Sequence, residues 1–214
     1  YNYIELRAEL LEYGYKFRTE SDTEVIIVAY KHWGEKCVEH FNGMYAFALW
    51  DEIKQKLFCA RDQLGIKPFY FYQTDKFFAF ASESKALEPF HCNKLDANGL
   101  AAYFLSSYVP GELSIFEGVK KLLPAHTMVV KPSGVIETKK YWQIKRVSVY
   151  DDSASAEDVT ALLEQAVLKQ IRSDVPVGAL LSGGVDSGMI VALASKHIDN
   201  MHTYSVGFEG AGIN

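Results

Sequence analysis

Apolar residues change their spacing along this chain, and each change marks a different kind of element. From Tyr3 to Tyr13, Ile4, Leu6, Leu10 and Leu11 recur at helical intervals, and Gly14 stops the run as a C-cap. A second helical pattern covers Val25 to Trp33 and is entered through Ser21-Asp22-Thr23-Glu24. Ser21 or Asp22 can cap it, and Glu20 or Glu24 suits its positive end. Cys37 to Phe41 continues helically until Asn42-Gly43 ends it. Then the period shortens. Met44–Trp50, Lys56–Arg61, Phe69–Gln73 and Phe77–Ser82 are short, aromatic-rich runs divided by turn residues, which predicts successive antiparallel strands. Met44 to Trp50 is apolar on both faces, so the sheet should be covered on both sides, as in a sandwich with outer helices.

Further on, Asp96 to Leu105 reads as a capped helix and Lys121 to His126 as a turn around Pro124. Thr127–Lys131 and Val135–Tyr141 form a hairpin across Pro132-Ser133-Gly134. Residues 147–155 are polar and acidic and predict a linker. An amphipathic helix follows over Ala156–Ile171, then a strand over Val175–Leu181, a Gly-Gly loop, a helix over Gly188–His197 and a strand over Met201–Val206. That order opens a parallel α/β domain. The expected division is therefore 1–146 and 152–214, with two strands too few to close the second sheet. A start at Tyr1 without Met and an end after one strand and a Gly-rich loop suggest a fragment, truncated in both domains.

Composition narrows the function classes. Of 214 residues, 49% are hydrophobic and 23% charged, as in a globular domain. The 13 Tyr and 13 Phe crowd into the first half, which predicts an aromatic-packed β core there. A net charge of −5 without a basic stripe argues against nucleic acid as a partner. No apolar run approaches the length of a membrane span. Cys37, Cys59 and Cys92 lack metal-ligand spacing and read as small hydrophobes or surface thiols in a reducing, cytoplasmic setting.

One segment carries distinctive chemistry. In Leu181-Ser182-Gly183-Gly184-Val185-Asp186-Ser187 a strand feeds a glycine turn and then a helix. Free N–H groups and the dipole at such a helix start favour an anion, and glycines let backbone approach phosphate oxygens. Ser182 and Ser187 offer hydroxyls, and Asp186 is a candidate ligand for Mg2+. The segment is neither a P-loop, for no Lys follows the glycines, nor a Gly-x-Ser-x-Gly elbow. An ordinary βα turn is the bland alternative. Arg61-Asp62 after a strand reads as a buried structural ion pair rather than an active-site pair, and Phe69-Tyr70-Phe71-Tyr72 as sheet rather than a base-stacking platform.

Asn2-Tyr3-x-x-Leu6-Arg7, Ser21-Asp22-Thr23-Glu24-Val25-Ile26, Asn42-Gly43-Met44-Tyr45-Ala46-Phe47-Ala48, Ala60-Arg61-Asp62-x-x-Gly65-x-Lys67-Pro68 and Ser82-Glu83-x-Lys85-Ala86-Leu87 together resemble class II glutamine amidotransferases. With the later loop, and with Tyr108-x-Pro110-Gly111, Ile115-Phe116-x-Gly118 and Tyr141-Trp142, the order resembles glutamine-hydrolysing asparagine synthetases over nearly the whole chain. The resemblance implies an α+β, four-layer αββα sandwich of the Ntn-hydrolase kind. The start of an α/β adenine-nucleotide hydrolase-like domain, a PP-loop ATP pyrophosphatase, would follow it. It also implies glutamine, aspartate and ATP as small-molecule substrates, with ATP and Mg2+ as cofactors. Ammonia from glutamine would attack an aspartyl-adenylate to give asparagine, AMP and pyrophosphate. A homodimer is compatible with it.

By the same resemblance Asp22 corresponds to the carboxylate that holds the α-ammonium of glutamine, although capping the next helix is an equal reading of the residue alone. Ser182, Gly183, Gly184, Val185, Asp186 and Ser187 correspond to the pyrophosphate loop, and Leu181, Val206 and Gly207 to the adenine–ribose surroundings. The family's N-terminal Cys nucleophile and its oxyanion Asn-Gly would precede Tyr1, and the acceptor pocket would follow Asn214. The 214 residues alone are therefore expected to lack both activities. The alternatives are a relative adenylating another carboxylate, as β-lactam synthetases do, and a non-catalytic ATP- or pyrophosphate-binding module.

Overall fold

The computed structural model describes residues 1–92, 94–145 and 155–207, and the chain divides into two compact units, Tyr1–Lys145 and Arg146–Asn214. The predicted linker lies, except for Ser155, outside the described residues. In the first unit, α1 (Tyr3–Glu12) and α2 (Asp22–Trp33) are followed by a short 3-10 helix, Gly34–Glu39. Next come β1 (Ala46–Asp51), β2 (Lys56–Arg61), β3 (Tyr70–Gln73) and β4 (Phe78–Ala81). A second 3-10 segment, Ser84–Phe90, precedes α3 (Ala97–Ser106), β5 (Val119–Lys121), β6 (His126–Val130) and β7 (Ile136–Lys140). The strands form two antiparallel sheets, ordered β1-β2-β6-β7 and β4-β3-β5.

The two-sided apolar strands sort by parity, because successive side chains leave a strand on opposite faces. Phe47 and Leu49 of β1, Phe58 and Ala60 of β2 and Val129 of β6 pack with Leu6, Leu10, Val25, Val28 and Ala29 of the helices. Their neighbours Ala46, Ala48, Leu57, Cys59, Met128 and Val130 pack instead with Phe69, Phe71 and Phe78 of the other sheet. Helices, sheet and sheet thus form three successive layers. The 3-10 segment supplies the fourth, with Phe90 against Phe77 (5.7 Å between ring centres) and His91 beside Tyr72 (6.0 Å). This is the αββα sandwich expected from the sequence.

Element ends depart from the expectation where local chemistry intervenes. β5 went unseen because two of its three residues are lysines, yet it pairs with β3. Capping is as predicted at Asp96, whose carboxylate accepts from the Gly99 N–H at 2.7 Å. In the turn after β5, Ala125 adopts φ 59° while only 3% exposed. Its N–H donates to the Asp62 carbonyl (2.8 Å) and its carbonyl accepts from Tyr141 (2.9 Å), and together these bonds hold the strained turn.

In the second unit, α4 (Ala156–Gln170) opens with a capping box between Ser155 and Asp158. β8 (Gly178–Leu180) pairs in parallel with β9 (His202–Tyr204), and α5 (Val185–Ala194) lies between them in sequence. The predicted strand from Val175 shrinks to three residues, since Pro176 has no N–H to donate to a ladder. The helix begins three residues earlier than expected because Gly184 takes the N-cap position. Val167, Leu193 and Ala194 form its small core, with Leu163, Ile171 and Met201 packed around them. No helix among the described residues is long and apolar enough to cross a membrane.

Candidate functional site

Among the described residues, two places combine polar groups in a way that can hold a ligand, one in each unit. The first is the start of α2. Ser21 is its N-cap, with Oγ accepting from the Thr23 N–H at 3.2 Å. This settles which residue caps the helix. Asp22 is left in the first turn, exposed, and among the described residues its carboxylate takes only the Thr23 hydroxyl, at 3.3 Å. Capping does not occupy it.

The surroundings of Asp22 are held more firmly than the carboxylate itself. Glu24 turns back to accept from the N–H groups of Arg18 (2.8 Å) and Thr19 (2.7 Å) and from the Thr19 hydroxyl (2.5 Å). These bonds, the Thr19 hydroxyl first, keep its carboxyl below the usual range. Arg7 lies over the Phe17 ring (4.5 Å) and donates to the Thr19 carbonyl at 2.6 Å. From the other side, the Tyr1 hydroxyl donates to the Asp22 carbonyl at 2.5 Å. Burial, and then the nearby Asp22 charge, raise the Tyr1 phenol far above its ordinary pKa, so it stays a donor.

Tyr1 is in turn fixed by the 40–43 bend. The Asn2 Oδ1 accepts from the Asn42 N–H (2.8 Å), Asn2 Nδ2 donates to the His40 carbonyl (3.2 Å), and Asn2 N–H donates to the Asn42 carbonyl (3.0 Å). Gly43, at φ 135°, lies so close that a Cβ there would stand 2.6 Å from Tyr1 Cα. Glycine is required by both the backbone angle and the contact. None of these contacts was legible from the sequence, because they join residues separated by about twenty to forty positions.

Arg61 and Asp62 form no ion pair, which corrects the sequence expectation. The guanidinium donates to the carbonyls of Lys67 (2.7 Å), Leu122 (2.6 Å) and Gly65 (2.7 Å). The carboxylate accepts from the N–H groups of Tyr45 (3.3 Å), Leu64 (3.2 Å), Ile66 (2.9 Å) and Lys67 (2.9 Å). Each charge is satisfied by backbone. Nearby, the Tyr45 and Tyr141 hydroxyls meet at 2.7 Å, and Tyr141 donates to the Arg61 carbonyl at 2.7 Å. This assembly anchors the turn and the end of β7 and exposes no reactive atom. Buried Cys37 and Cys59 are inert thiols, both pushed by burial up to about 12.

The second place is the loop from β8 to α5. Gly183 takes φ 81°, which brings Ser182 and Ser187 together with their hydroxyls 3.0 Å apart. Ser187 Oγ also accepts from the Ser182 N–H (3.3 Å) and donates to the Gly184 carbonyl (3.1 Å). Among the described residues no acceptor is bonded to the N–H groups of Val185, Asp186 or Ser187. They remain open to an anion at the positive end of a ten-residue helix. The Asp186 side chain is exposed and makes no hydrogen bond to a described residue. Leu181 donates to the Tyr204 carbonyl (2.8 Å), and Ser205 Oγ donates to the Leu181 carbonyl (2.7 Å). These two bonds hold the end of β9 beside the loop, with Val206 and Gly207 exposed just beyond. The structure thus gathers residues 181–187 with Tyr204 and Ser205, while Asp22 belongs to the other unit.

Comparison with known proteins fits this division. The glutamine amidotransferase domain family matches residues 1–142, and the asparagine synthase family matches residues 158–214. Asparagine synthetase (glutamine-hydrolyzing) 3 of Bacillus subtilis (strain 168) is 40% identical over 221 residues, covering 98% of this chain and 35% of the relative. A putative asparagine synthetase (glutamine-hydrolyzing) 2 of Methanocaldococcus jannaschii is 38% identical, covering 98% of this chain and 42% of the relative. The chain therefore spans well under half the length of these relatives. Among solved structures, the glutamine phosphoribosylpyrophosphate amidotransferase of B. subtilis aligns with 95% of this chain and 43% of that one, at TM-score 0.48 and 14% identity.

Proposed function

The chain belongs to the glutamine amidotransferase family, and from that membership we propose that it carries the glutamine-handling part and the nucleotide loop of an ATP-dependent asparagine synthetase. The two functional regions would be residues 1–146 and 152–214. One observation carries the reading: a loop with open N–H groups at a helix start follows an amidotransferase sandwich in the same chain. The names and 38–40% identities of its relatives across both regions support it.

In this reading Asp22 pairs with the α-ammonium of glutamine. Helix α2 begins there, and a carboxylate is the natural partner for an ammonium. The released ammonia would serve attack on an acyl-adenylate of aspartate. In the second region the N–H groups of Val185, Asp186 and Ser187 and the hydroxyls of Ser182 and Ser187 hold the pyrophosphate leaving group. Donors already aimed at the place where charge develops need no reorganisation during reaction. Gly183 and Gly184 keep Cβ atoms from the approach, and nothing among the described residues lies within 4 Å of where a Cβ on Gly183 would sit.

Leu181, Val206 and Gly207 would border the adenine and ribose. The free Asp186 carboxylate suits a hard divalent cation such as Mg2+, which when bound neutralises phosphate charge. The substrates are then small molecules met in a cytoplasmic setting, and a homodimer remains compatible with the fold.

ATP–pyrophosphate exchange tests this in the full polypeptide that carries the sequence. Exchange should require aspartate, and Asp186→Ala should lower it by roughly a hundredfold or more while leaving stability unchanged. Exchange driven by a different acid would reassign the acceptor carboxylate. ATP binding with no exchange for any acid would leave only a nucleotide-binding module.

A further inference from the structure

Tyr1 is tied to Asp22 by a contact that its ring packing does not require. The ring sits among Phe41 (5.3 Å between centres), Tyr45 (6.3 Å) and Tyr3 (6.0 Å), which fixes it whatever its para substituent. A phenylalanine would fill the same space. Among the described residues the hydroxyl has one hydrogen-bond partner: at 2.5 Å it donates to the carbonyl of Asp22, the first residue of α2. Burial and the Asp22 charge keep it protonated.

We infer that Tyr1 is a positioning residue for glutamine, acting through Asp22. This rests on the reading of Asp22 as the partner of the substrate ammonium. Opposite-charge recognition at an exposed carboxylate is weak unless the carboxylate is held in place, because ordering the side chain costs entropy that solvent-screened attraction barely repays. Here, among the described residues, the Asp22 side chain itself has a single weak restraint, the Thr23 hydroxyl at 3.3 Å. Order has to come from its backbone.

Two anchors set that backbone. Ser21 fixes the entry to α2 by its cap, and Glu24 ties residues 18 and 19 to the first turn. Both act along the chain. Tyr1 acts across it, from the segment that Asn2 clasps to residues 40–42, and so ties the start of α2 to the opposite wall. Losing the hydroxyl leaves the helix capped and the core filled but frees the Asp22 peptide to tilt. Substrate affinity is then the property that changes, and the chemical step is spared.

The test is glutamine hydrolysis measured on the full polypeptide for Tyr1→Phe, Asp22→Ala and the control Tyr3→Phe. Tyr3 shares the aromatic cluster, and its hydroxyl bonds no described residue. Tyr1→Phe should raise KM for glutamine roughly three- to tenfold with kcat retained, matching the loss of one neutral hydrogen bond. Asp22→Ala should raise KM further, and Tyr3→Phe should change neither constant. If Asp22→Ala raises KM and Tyr1→Phe does not, the positioning role is overturned while the Asp22 reading stands. If neither moves KM, the Asp22 reading falls and takes this inference with it. A fall in kcat alone for Tyr1→Phe, or an equal response from Tyr3→Phe, would mark a merely structural role and overturn it as well. Should Tyr1→Phe prove less stable, the constants are read at a temperature where circular dichroism shows it folded, and an unchanged KM there would overturn the inference.

Discussion

The two candidate sites are built on opposite plans. Around α2 the candidate carboxylate, Asp22, lies at the start of a helix packed into a large core, and Tyr1 reaches it from a distant part of the chain beside the nearer bonds of Ser21 and Glu24. In the loop after β8 nearly every contact lies within six residues, and the unit beneath it is slight. Its described core holds three buried side chains, while Leu180, Val185 and Val206 are each about four-fifths exposed. The first site depends on tertiary packing and the second on local backbone chemistry. A phosphate cradle needs little more than glycine angles, hydroxyls and a helix start, so it can form on a small base. On the proposed reading, a carboxylate that selects an ammonium needs a wall.

The largest expected effect attacks the wall directly. Asp62 is 1% exposed and accepts four backbone N–H groups from the turn and from Tyr45, and its charge also supports Arg61, whose guanidinium burial disfavours. Asp62→Ala leaves those donors without a partner in the interior. A loss of about 3–5 kcal/mol is expected, read by denaturant unfolding of the first unit. The loop of the second unit should be indifferent, so hydrogen exchange at residues 182–187 ought to match the parent protein. Faster exchange there would show that the two plans are not independent.

The same contrast explains what the sequence revealed. The loop was legible because its meaning is local: two glycines, two hydroxyls and Asp186 sit in one run, and a strand and a helix flank it. The sandwich was legible because Phe47, Leu49, Phe58 and their neighbours alternate between two buried faces, a pattern that only a doubly covered sheet produces. The family resemblance added the proposed function, which neither pattern contains. What stayed hidden was long-range. Nothing in Arg61-Asp62 indicates that each charge would turn to backbone carbonyls and N–H groups rather than to its neighbour. The bond from Tyr1 to Asp22 has no sequence signature either, since an aromatic residue beside an apolar helical run is ordinary core. β5 was missed because Lys120 and Lys121 mask a strand whose single apolar residue, Val119, is the buried one.

A smaller effect probes the slight unit. Ser155 caps α4 by accepting from the Asp158 N–H at 3.1 Å, while Asp158 returns bonds to the Ser155 N–H (2.9 Å) and hydroxyl (2.8 Å). Ser155→Ala should cost about 1 kcal/mol. In a unit with so small a core that is a large share of what holds it, so the loss should appear as faster hydrogen exchange throughout α4 and α5. The first unit should unfold as before. A cap deletion at Ser21, which costs a similar amount, should instead vanish into the stability of the larger core. Equal sensitivity at the two caps would break the comparison.

The smallest effect is a pH dependence confined to the first site. Glu24 is ionised while it holds Arg18 and Thr19, and its folded pKa lies below the unfolded value because those bonds favour the carboxylate. A depressed carboxyl contributes stability that is fully present above its unfolded pKa, about 4.3 for glutamate, and is lost as pH falls through the folded value. The 18–20 segment should therefore loosen only in acid below that point, seen as faster amide exchange at Arg18 and Thr19. In Glu24→Gln the carboxamide still offers one acceptor oxygen but cannot titrate, so both amides should exchange somewhat faster at neutral pH and show no further acid step. Since Asp22 takes its position partly from this segment, the same variant should raise KM for glutamine slightly near neutrality. An acid step that persists in Glu24→Gln would assign the transition to another group and leave Tyr1 and Ser21 as the restraints on the start of α2.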